Sequence, residues 1–278
     1  MRTLKRLHAA VREDIGELIT RRPLPGPGIG QLDPFLLLNH HGPQVYPPGN
    51  AGLPFGPHPH RGFETVTFIL HGQLEHRDSG GHESVIGAGG VQWMTAGRGV
   101  VHSELAPREF LERGGELEIL QLWVNLPARM KMTEPRYSGL QAADIPAVTH
   151  DGAIVRPVSG EWLGQVGPIR PLMDVQLATV HLARGATARF AVPRGRTVLL
   201  YVVGGELRID AHHAPRFTLV ELNDDGDEFV LQAHEDSTVL LGHAAPLDEP
   251  VVAYGPFVMN TREEIHQAIR DYQAGRLG

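Results

Sequence analysis

The chain has 278 residues, carries a formal net charge of -7 and contains no cysteine. Disulfides, thiolate metal sites, iron–sulfur clusters and cysteine nucleophiles are therefore excluded, and any bound metal must take nitrogen and oxygen ligands. The negative charge argues against direct nucleic-acid binding through a basic surface.

The length favours two domains, since a domain typically has roughly 100–200 residues. The 33 glycines and 22 prolines predict many turns between short elements, as in an all-β protein. No apolar run is long enough for a membrane helix, and residues 1–18 lack the apolar core of a secretory signal. We expect a cytoplasmic protein, or a nuclear one in a eukaryote, without membrane association.

In chain order, the first strand signal is the apolar run Phe35–Leu38, which lies in a coil-like segment rich in proline and glycine. From His58 to Leu126, short β-branched and apolar stretches alternate with glycine turns, as in ETVTFIL, GVQWMT and LEILQLWVNLP. This spacing is typical of a β-meander or a jelly roll.

Residues 127–170 have mixed polarity and are predicted to connect two domains. Strand signals then resume with DVQLATVHLAR, TARFAV, RTVLLYVVGGELRID, FTLVEL, DEFVLQA and STVLLGH. We therefore predict two tandem β-sandwich or jelly-roll domains, residues 1–130 and residues 131–278.

The convincing helix signal lies at the C-terminus, from Thr261 to Gly275. Thr261 and Glu264 have the spacing of a capping box, and Ile265 and Ile269 lie one helical turn apart. The second domain is therefore expected to end in a short helix.

Two segments carry side chains that can bind a metal. Side chains alternate along a strand, so His58 and His60 point to one face, and His102 and Glu104 do the same in AGRGVVHSE. If these two strands are neighbours in a barrel, three imidazoles and a carboxylate converge. Such a set suits a divalent ion with open positions, such as Fe(II), Mn, Ni, Cu or Zn.

The spacing leaves open which carboxylate completes the set. Glu64 has the same strand parity as His58 and His60, whereas Glu104 has the parity of His102. With 16 histidines in the chain, a single HxH pattern is weak evidence. An HxH pattern followed by Glu64, a glycine turn and a later HxE pattern is much more specific.

These segments resemble the two cupin motifs, HxHxxxE from His58 to Glu64 and GxGxxH from Gly97 to His102. Gly97 stands where many cupins have proline. The segments DPFLLLNHHGP, PHPHRGFETVTFILHGQLEHRDS, AGRGVVHSE and EPVVAYGPFVMNTREEIHQAIRDYQAGRLG further resemble the pirin family of bicupins. The resemblance runs from about Ile15 to the C-terminus.

The resemblance implies two cupin domains, of which residues 1–130 bind one divalent transition metal, Fe(II) in the first place. It favours Glu104 over Glu64 as the carboxylate, and Glu64 would then orient a ligand histidine through a hydrogen bond. The C-terminal domain would be free of metal, since its sequence has no matching motifs. The implied ligands are His58, His60, His102 and Glu104.

The resemblance also implies an activity, because some pirins are similar to quercetin 2,3-dioxygenases. The substrates would be O2 and a flavonol-like aromatic molecule, and Glu104 would accept the 3-hydroxyl proton. The alternative is an iron- and redox-dependent regulatory protein that binds a transcription factor or a metabolic enzyme. A metal-dependent hydrolase is disfavoured, since the chain lacks the alternating β/α pattern of such barrels.

Overall fold

The computed structural model describes all 278 residues of the chain. Strands form most of its regular secondary structure, which confirms the all-β prediction. None of its helices is both long enough and apolar enough to cross a membrane.

The first part of the chain contains twelve strands, one α-helix and two 3₁₀ turns. These are β1 (Leu4–Ala9), β2 (Val11–Arg12), β3 (Thr20–Leu24), β4 (Phe35–Tyr46), β5 (Phe55–His60), β6 (Phe63–His71), β7 (Gln73–Asp78), β8 (Glu83–Gly87), β9 (Val91–Thr95), β10 (Val100–Leu105), α1 (Arg108–Arg113), β11 (Gly115–Asn125), the turn Ala128–Met130, β12 (Arg136–Leu140) and the turn Ala142–Asp144.

The remaining part contains strands and the C-terminal helix. These are β13 (Val148–His150), β14 (Ala153–Ser159), β15 (Glu161–Trp162), β16 (Gln165–Val166), β17 (Val175–Leu182), β18 (Thr187–Ala191), β19 (Thr197–Gly204), β20 (Glu206–Ile209), β21 (His212–Pro215), β22 (Thr218–Leu222), β23 (Glu228–Ala233), β24 (Ser237–Ala244), β25 (Val252–Tyr254), β26 (Phe257–Met259) and α2 (Arg262–Gln273).

The chain forms two compact units, each assembled from three separate segments. The N-terminal unit consists of Arg12–Arg21, Phe35–Ala143 and Leu247–Gly278. The C-terminal unit consists of Met1–Val11, Arg22–Pro34 and Asp144–Pro246.

This division differs from the expected ranges 1–130 and 131–278. Strand β1 pairs with β22, with Leu7 opposite Val220, so the first residues complete a sheet of the C-terminal unit. Helix α2 instead packs Ile265 and Ala268 against Phe257 and Met259 of the N-terminal unit. The two chain ends are thus exchanged between the units. An edge strand and an amphipathic helix are positioned by their contacts, which sequence order does not reveal.

Both units use the same pair of sheets, one with seven strands and one with four. In the N-terminal unit the strand orders are β12-β9-β6-β11-β4-β3-β2 and β5-β10-β7-β8. In the C-terminal unit they are β1-β22-β19-β24-β17-β14-β13 and β18-β23-β20-β21. The predicted pair of β-sandwich domains is thereby confirmed.

Alternation of side chains builds the core of the C-terminal unit. In β18, Ala188 and Phe190 are buried, whereas Thr187, Arg189 and Ala191 are exposed. The buried side chains of both sheets meet in one apolar cluster. Helix α2 likewise follows its sequence pattern, because Thr261 and Glu264 form the predicted capping box.

Candidate metal centre

Three histidines converge where β5 and β10 pair. His102 lies directly opposite His58, and His60 lies opposite Val100 at the end of β5. The ring centroid of His102 lies 4.4 Å from that of His58 and 4.9 Å from that of His60. The predicted convergence of two strands thus places three imidazoles in one cluster, with ring nitrogens of all three within 4.8 Å of one another.

The outer nitrogens of two rings face backbone carbonyls. His58 Nδ1 lies 2.8 Å from the carbonyl oxygen of Gly56, and His60 Nδ1 lies 3.2 Å from that of Pro256. A carbonyl oxygen can only accept, so each Nδ1 carries a proton, and in the neutral ring Nε2 then presents a lone pair. Contacts of this kind orient metal-binding histidines in proteins.

The two Nε2 atoms of His58 and His60 lie 3.1 Å apart. Two lone pairs at this distance cannot form a hydrogen bond with each other. Two nitrogens bound at right angles to one ion, each about 2.1 Å from it, would be about 3.0 Å apart. The spacing therefore fits a shared metal ion.

His102 supplies an independent sign. Its side chain is buried, and neither ring nitrogen has a hydrogen-bond partner. Leaving a buried polar group unsatisfied costs roughly 1–3 kcal/mol, so such a group calls for an explanation. A metal bound by one of these nitrogens would supply the partner that this nitrogen lacks.

The electrostatics of the cluster favour neutral rings for His60 and His102. Burial, reinforced by the neighbouring His58, lowers the pKa of His60 to about 3, against the opposing effect of the Pro256 carbonyl. Burial also lowers the pKa of His102 well below its usual range. Neutral imidazole is the form that binds a metal, so no proton has to be displaced from these rings near neutral pH.

Glu104 is buried next to this cluster but outside the close group of three histidines. Thr67 Oγ1 donates to Glu104 Oε1 at 3.0 Å, and Gln121 Nε2 donates to Glu104 Oε2 at 2.6 Å. Burial raises the pKa of Glu104 to about 7. The carboxylate is thus held by side chains of β6 and β11, and each of its oxygens keeps a further lone pair.

Glu64 lies away from the cluster. The chain turns at Gly62, where φ is +90°, and β5 and β6 belong to different sheets, so strand parity does not carry across. On β6, alternation places Glu64 on the face opposite Phe63 and Thr67. Its hydrogen bond comes from Thr95 Oγ1 at 2.6 Å, so the expected contact between Glu64 and a ligand histidine is absent.

Two aromatic side chains adjoin the cluster without having been assigned to the site from the sequence. His76 is buried, with Nε2 3.0 Å from Asp78 Oδ2, and its ring lies 5.4 Å from that of His102. Trp123 packs edge-on against His60, with ring centroids 5.4 Å apart. The alternation of Leu74, His76 and Asp78 in β7 was the available signal for a buried His76.

The C-terminal unit carries a second group of possible ligands, although the resemblance implies no metal there. Glu206, His213 and His234 place one ligand atom each within 4.8 Å of the others. Both histidines are exposed, and His213 Nδ1 lies 2.7 Å from Glu206 Oε1. A surface hydrogen bond accounts for this arrangement.

Comparisons with known proteins agree with the fold and the motifs. The family model described as Pirin matches residues 17–124, and the model described as Pirin C-terminal cupin domain matches residues 177–278. A Pseudomonas aeruginosa protein provisionally named quercetin 2,3-dioxygenase is 41% identical over 252 residues, covering 90% of this chain and 88% of that protein.

Two further proteins are similar along nearly their whole length. Human pirin is 37% identical over 282 residues, which is 99% of this chain and 93% of the human protein. The crystal structure of a quercetin 2,3-dioxygenase from Acinetobacter baumannii superposes with a TM-score of 0.93 at 37% identity. The superposition covers 100% of this chain and 99% of that one.

Proposed function

The chain belongs to the pirin family of bicupins, and from this premise we propose that it is a metal-dependent dioxygenase that cleaves a flavonol such as quercetin with O2. The observation that carries the proposal is the pair of Nε2 lone pairs of His58 and His60, 3.1 Å apart beside an unpartnered His102. The similar bacterial proteins named for quercetin cleavage support the substrate class.

In this proposal His58, His60 and His102 hold one Fe(II), and Glu104 supplies the carboxylate ligand. A bound metal ion supplies Lewis-acid and redox chemistry, lowering the pKa of a coordinated hydroxyl. The backbone carbonyls of Gly56 and Pro256 keep His58 and His60 in the tautomer that binds a metal.

Glu104 also acts as the proton acceptor for the flavonol 3-hydroxyl. Thr67 and Gln121 fix the carboxylate by donating one hydrogen bond to each oxygen, and a lone pair on either oxygen remains available. Phe63 and Trp123, whose ring centroids lie 4.3 Å apart, form an apolar wall beside His60. Such a wall keeps water away and suits an aromatic substrate.

The test is aerobic turnover of quercetin by protein of measured metal content, followed by the loss of flavonol absorbance. We expect turnover to rise in proportion to bound iron and to disappear in His102→Ala. His181→Ala, which removes an exposed histidine of β17, is the matched control and should keep full activity. Absence of turnover in a fully iron-loaded sample would overturn the dioxygenase assignment.

The second candidate is an iron- and redox-dependent regulatory protein that binds a transcription factor or a metabolic enzyme. The observation in its favour is that His60 contacts the carbonyl of Pro256, which links the metal centre to the exposed residues Tyr254 and Gly255. Partner capture by the Fe(II) and Fe(III) forms would test it. Equal capture by both forms would count against redox regulation.

A further inference from the structure

The C-terminal segment, defined as Leu247–Gly278, reaches the metal centre from the far end of the chain. Its residue Pro256 presents the carbonyl oxygen that lies 3.2 Å from His60 Nδ1. Two residues later, Val258 N donates to the carbonyl oxygen of Arg61 at 3.0 Å. The segment therefore contacts both a ligand histidine and the residue that follows it.

A buried lysine stabilises this contact through hydrogen bonds. Lys131 Nζ donates to the carbonyl oxygens of Gly62 and Val258, at 2.8 Å and 3.1 Å, and to Asn125 Oδ1 at 2.6 Å. An ammonium group has three protons, so all its donors are used. A Cβ on Gly62 would lie 2.0 Å from the Val258 carbonyl oxygen, so only glycine permits this close approach.

Helix α2 makes a second set of contacts that stabilises the docked C-terminal segment. Arg61 Nη1 donates to Asp271 Oδ2 at 2.8 Å, and Asp271 also accepts from Arg276 Nη2 at 2.7 Å. Around this pair, Val101 packs against the apolar cluster that contains Ile265 and Leu277. Residues adjacent to two of the three histidines, Arg61 and Val101, are thus held by the C-terminal segment.

We propose that the C-terminal segment is a positioning element of the metal centre, in which Lys131 and Asp271 hold the Pro256 carbonyl against His60 Nδ1. The inference rests on the metal site of the proposed function. Metal binding and docking of the segment are then coupled, and the coupling is reciprocal. A docked segment strengthens metal binding, and a bound metal protects the segment from opening.

The test compares Lys131→Met and Asp271→Asn with Asp174→Asn. The control removes a carboxylate that pairs in the same way with Arg196, at 2.5 Å, in the C-terminal unit. Affinity for Ni²⁺ is measured by calorimetry, and the visible spectrum of the Co²⁺-loaded protein reports ligand geometry. Loss of contacts that orient a ligand typically weakens metal binding about 10–100-fold.

We expect Lys131→Met to fall in that range, Asp271→Asn to show a smaller loss with an altered Co²⁺ spectrum, and Asp174→Asn to match the wild type. Hydrogen exchange at Val258 and Met259 should slow when Ni²⁺ is added. The inference is overturned if folded Lys131→Met and Asp271→Asn bind Ni²⁺ as the wild type does. A wild type that binds no metal would instead overturn the proposed function together with the inference.

Discussion

In the C-terminal unit, the seven-stranded and four-stranded sheets enclose an apolar cluster built from side chains such as Phe190, Leu200 and Val239. In the N-terminal unit, sheets of the same two sizes bury His102 and Glu104 as well as apolar side chains. Burying polar groups costs free energy unless each finds a partner. The comparison teaches that this architecture accommodates either an apolar or a partly polar interior, and that the polar interior belongs to the unit in which we propose the metal centre.

The largest effect on the difference between the two units is expected when a histidine of the N-terminal cluster is removed. We expect His58→Ala to lose metal retention and quercetin turnover together, by more than about 100-fold, since even contacts that only orient a ligand contribute 10–100-fold. Metal analysis after gel filtration and a turnover assay check this. Retention of one full equivalent of metal by the variant would remove His58 from the site.

The hydrophobic core of the C-terminal unit is tested by Phe190→Ala. Phe190 is 2% exposed and stacks on Phe229, with ring centroids 5.7 Å apart. We expect the free energy of unfolding to fall by about 3–5 kcal/mol, as measured by urea denaturation, with unchanged affinity for Ni²⁺. Phe190→Leu, which keeps most of the volume, should lose clearly less. A loss below about 1 kcal/mol would contradict the assignment of Phe190 to the core.

Metal addition should stabilise one unit selectively. A ligand at 100 times its Kd stabilises the state that binds it by about 2.7 kcal/mol. We expect hydrogen exchange to slow in β5 and β10, and not in β18 and β23, when Ni²⁺ is added. The effect should vanish in His102→Ala. Equal protection of both units would indicate that the metal acts elsewhere.

Acid should weaken the interactions that Asp271 of helix α2 makes with Arg61 and Arg276. Hydrogen bonds from Arg276, Arg61 and Gln267 hold the pKa of Asp271 well below its usual range. Its stabilisation is therefore present above the unfolded pKa, near 3.9, and is lost as the pH falls through the folded value. We expect Asp271→Asn to lower the stability of the metal-free protein by about 1 kcal/mol at pH 7.

The difference between Asp271→Asn and the wild type should shrink as the pH falls below about 4, because Asp271 of the unfolded wild type then binds a proton while the folded carboxylate stays ionised until its lower pKa is reached. Urea denaturation at neutral and acidic pH measures this difference. A gap that stays constant across this range would show that the charge of Asp271 contributes nothing.

The smallest effect is expected at the exposed cluster of the C-terminal unit. Surface contacts between polar side chains typically contribute about 0–1 kcal/mol, so His213→Ala should change the unfolding free energy little. We also expect unchanged metal content, because Glu206 and His213 already satisfy each other at 2.7 Å. Loss of a metal equivalent in this variant would establish a second metal site, and the two units would no longer differ in metal binding.

The histidine cluster was predictable because the sequence patterns that specify it are short and local. Strand parity puts His58 with His60, and a glycine turn leads to His102, so two short motifs suffice once their strands pair. The same argument failed for Glu64, since parity is lost where the chain turns at Gly62 between two sheets.

Contacts made by the backbone and by distant segments left no signal in the sequence. The carbonyl of Pro256 has no side-chain signature, and its partner His60 lies 196 residues away. The pairing of β1 with β22 was equally hidden, because nothing in the sequence of β1 identifies a partner strand in the distant C-terminal unit. Lys131 lies in the predicted connection of mixed polarity, and its burial depends on three acceptors from separate segments.

The exchange of the chain ends has a consequence for the order of folding during synthesis. The C-terminal unit needs no residue beyond Pro246, whereas the N-terminal unit requires Leu247–Gly278. Domains commonly fold as the ribosome releases them, the N-terminal one first. Here the unit with the histidine cluster is completed last, so a nascent chain acquires the full set of contacts around His60 only after residues 247–278 have left the ribosome.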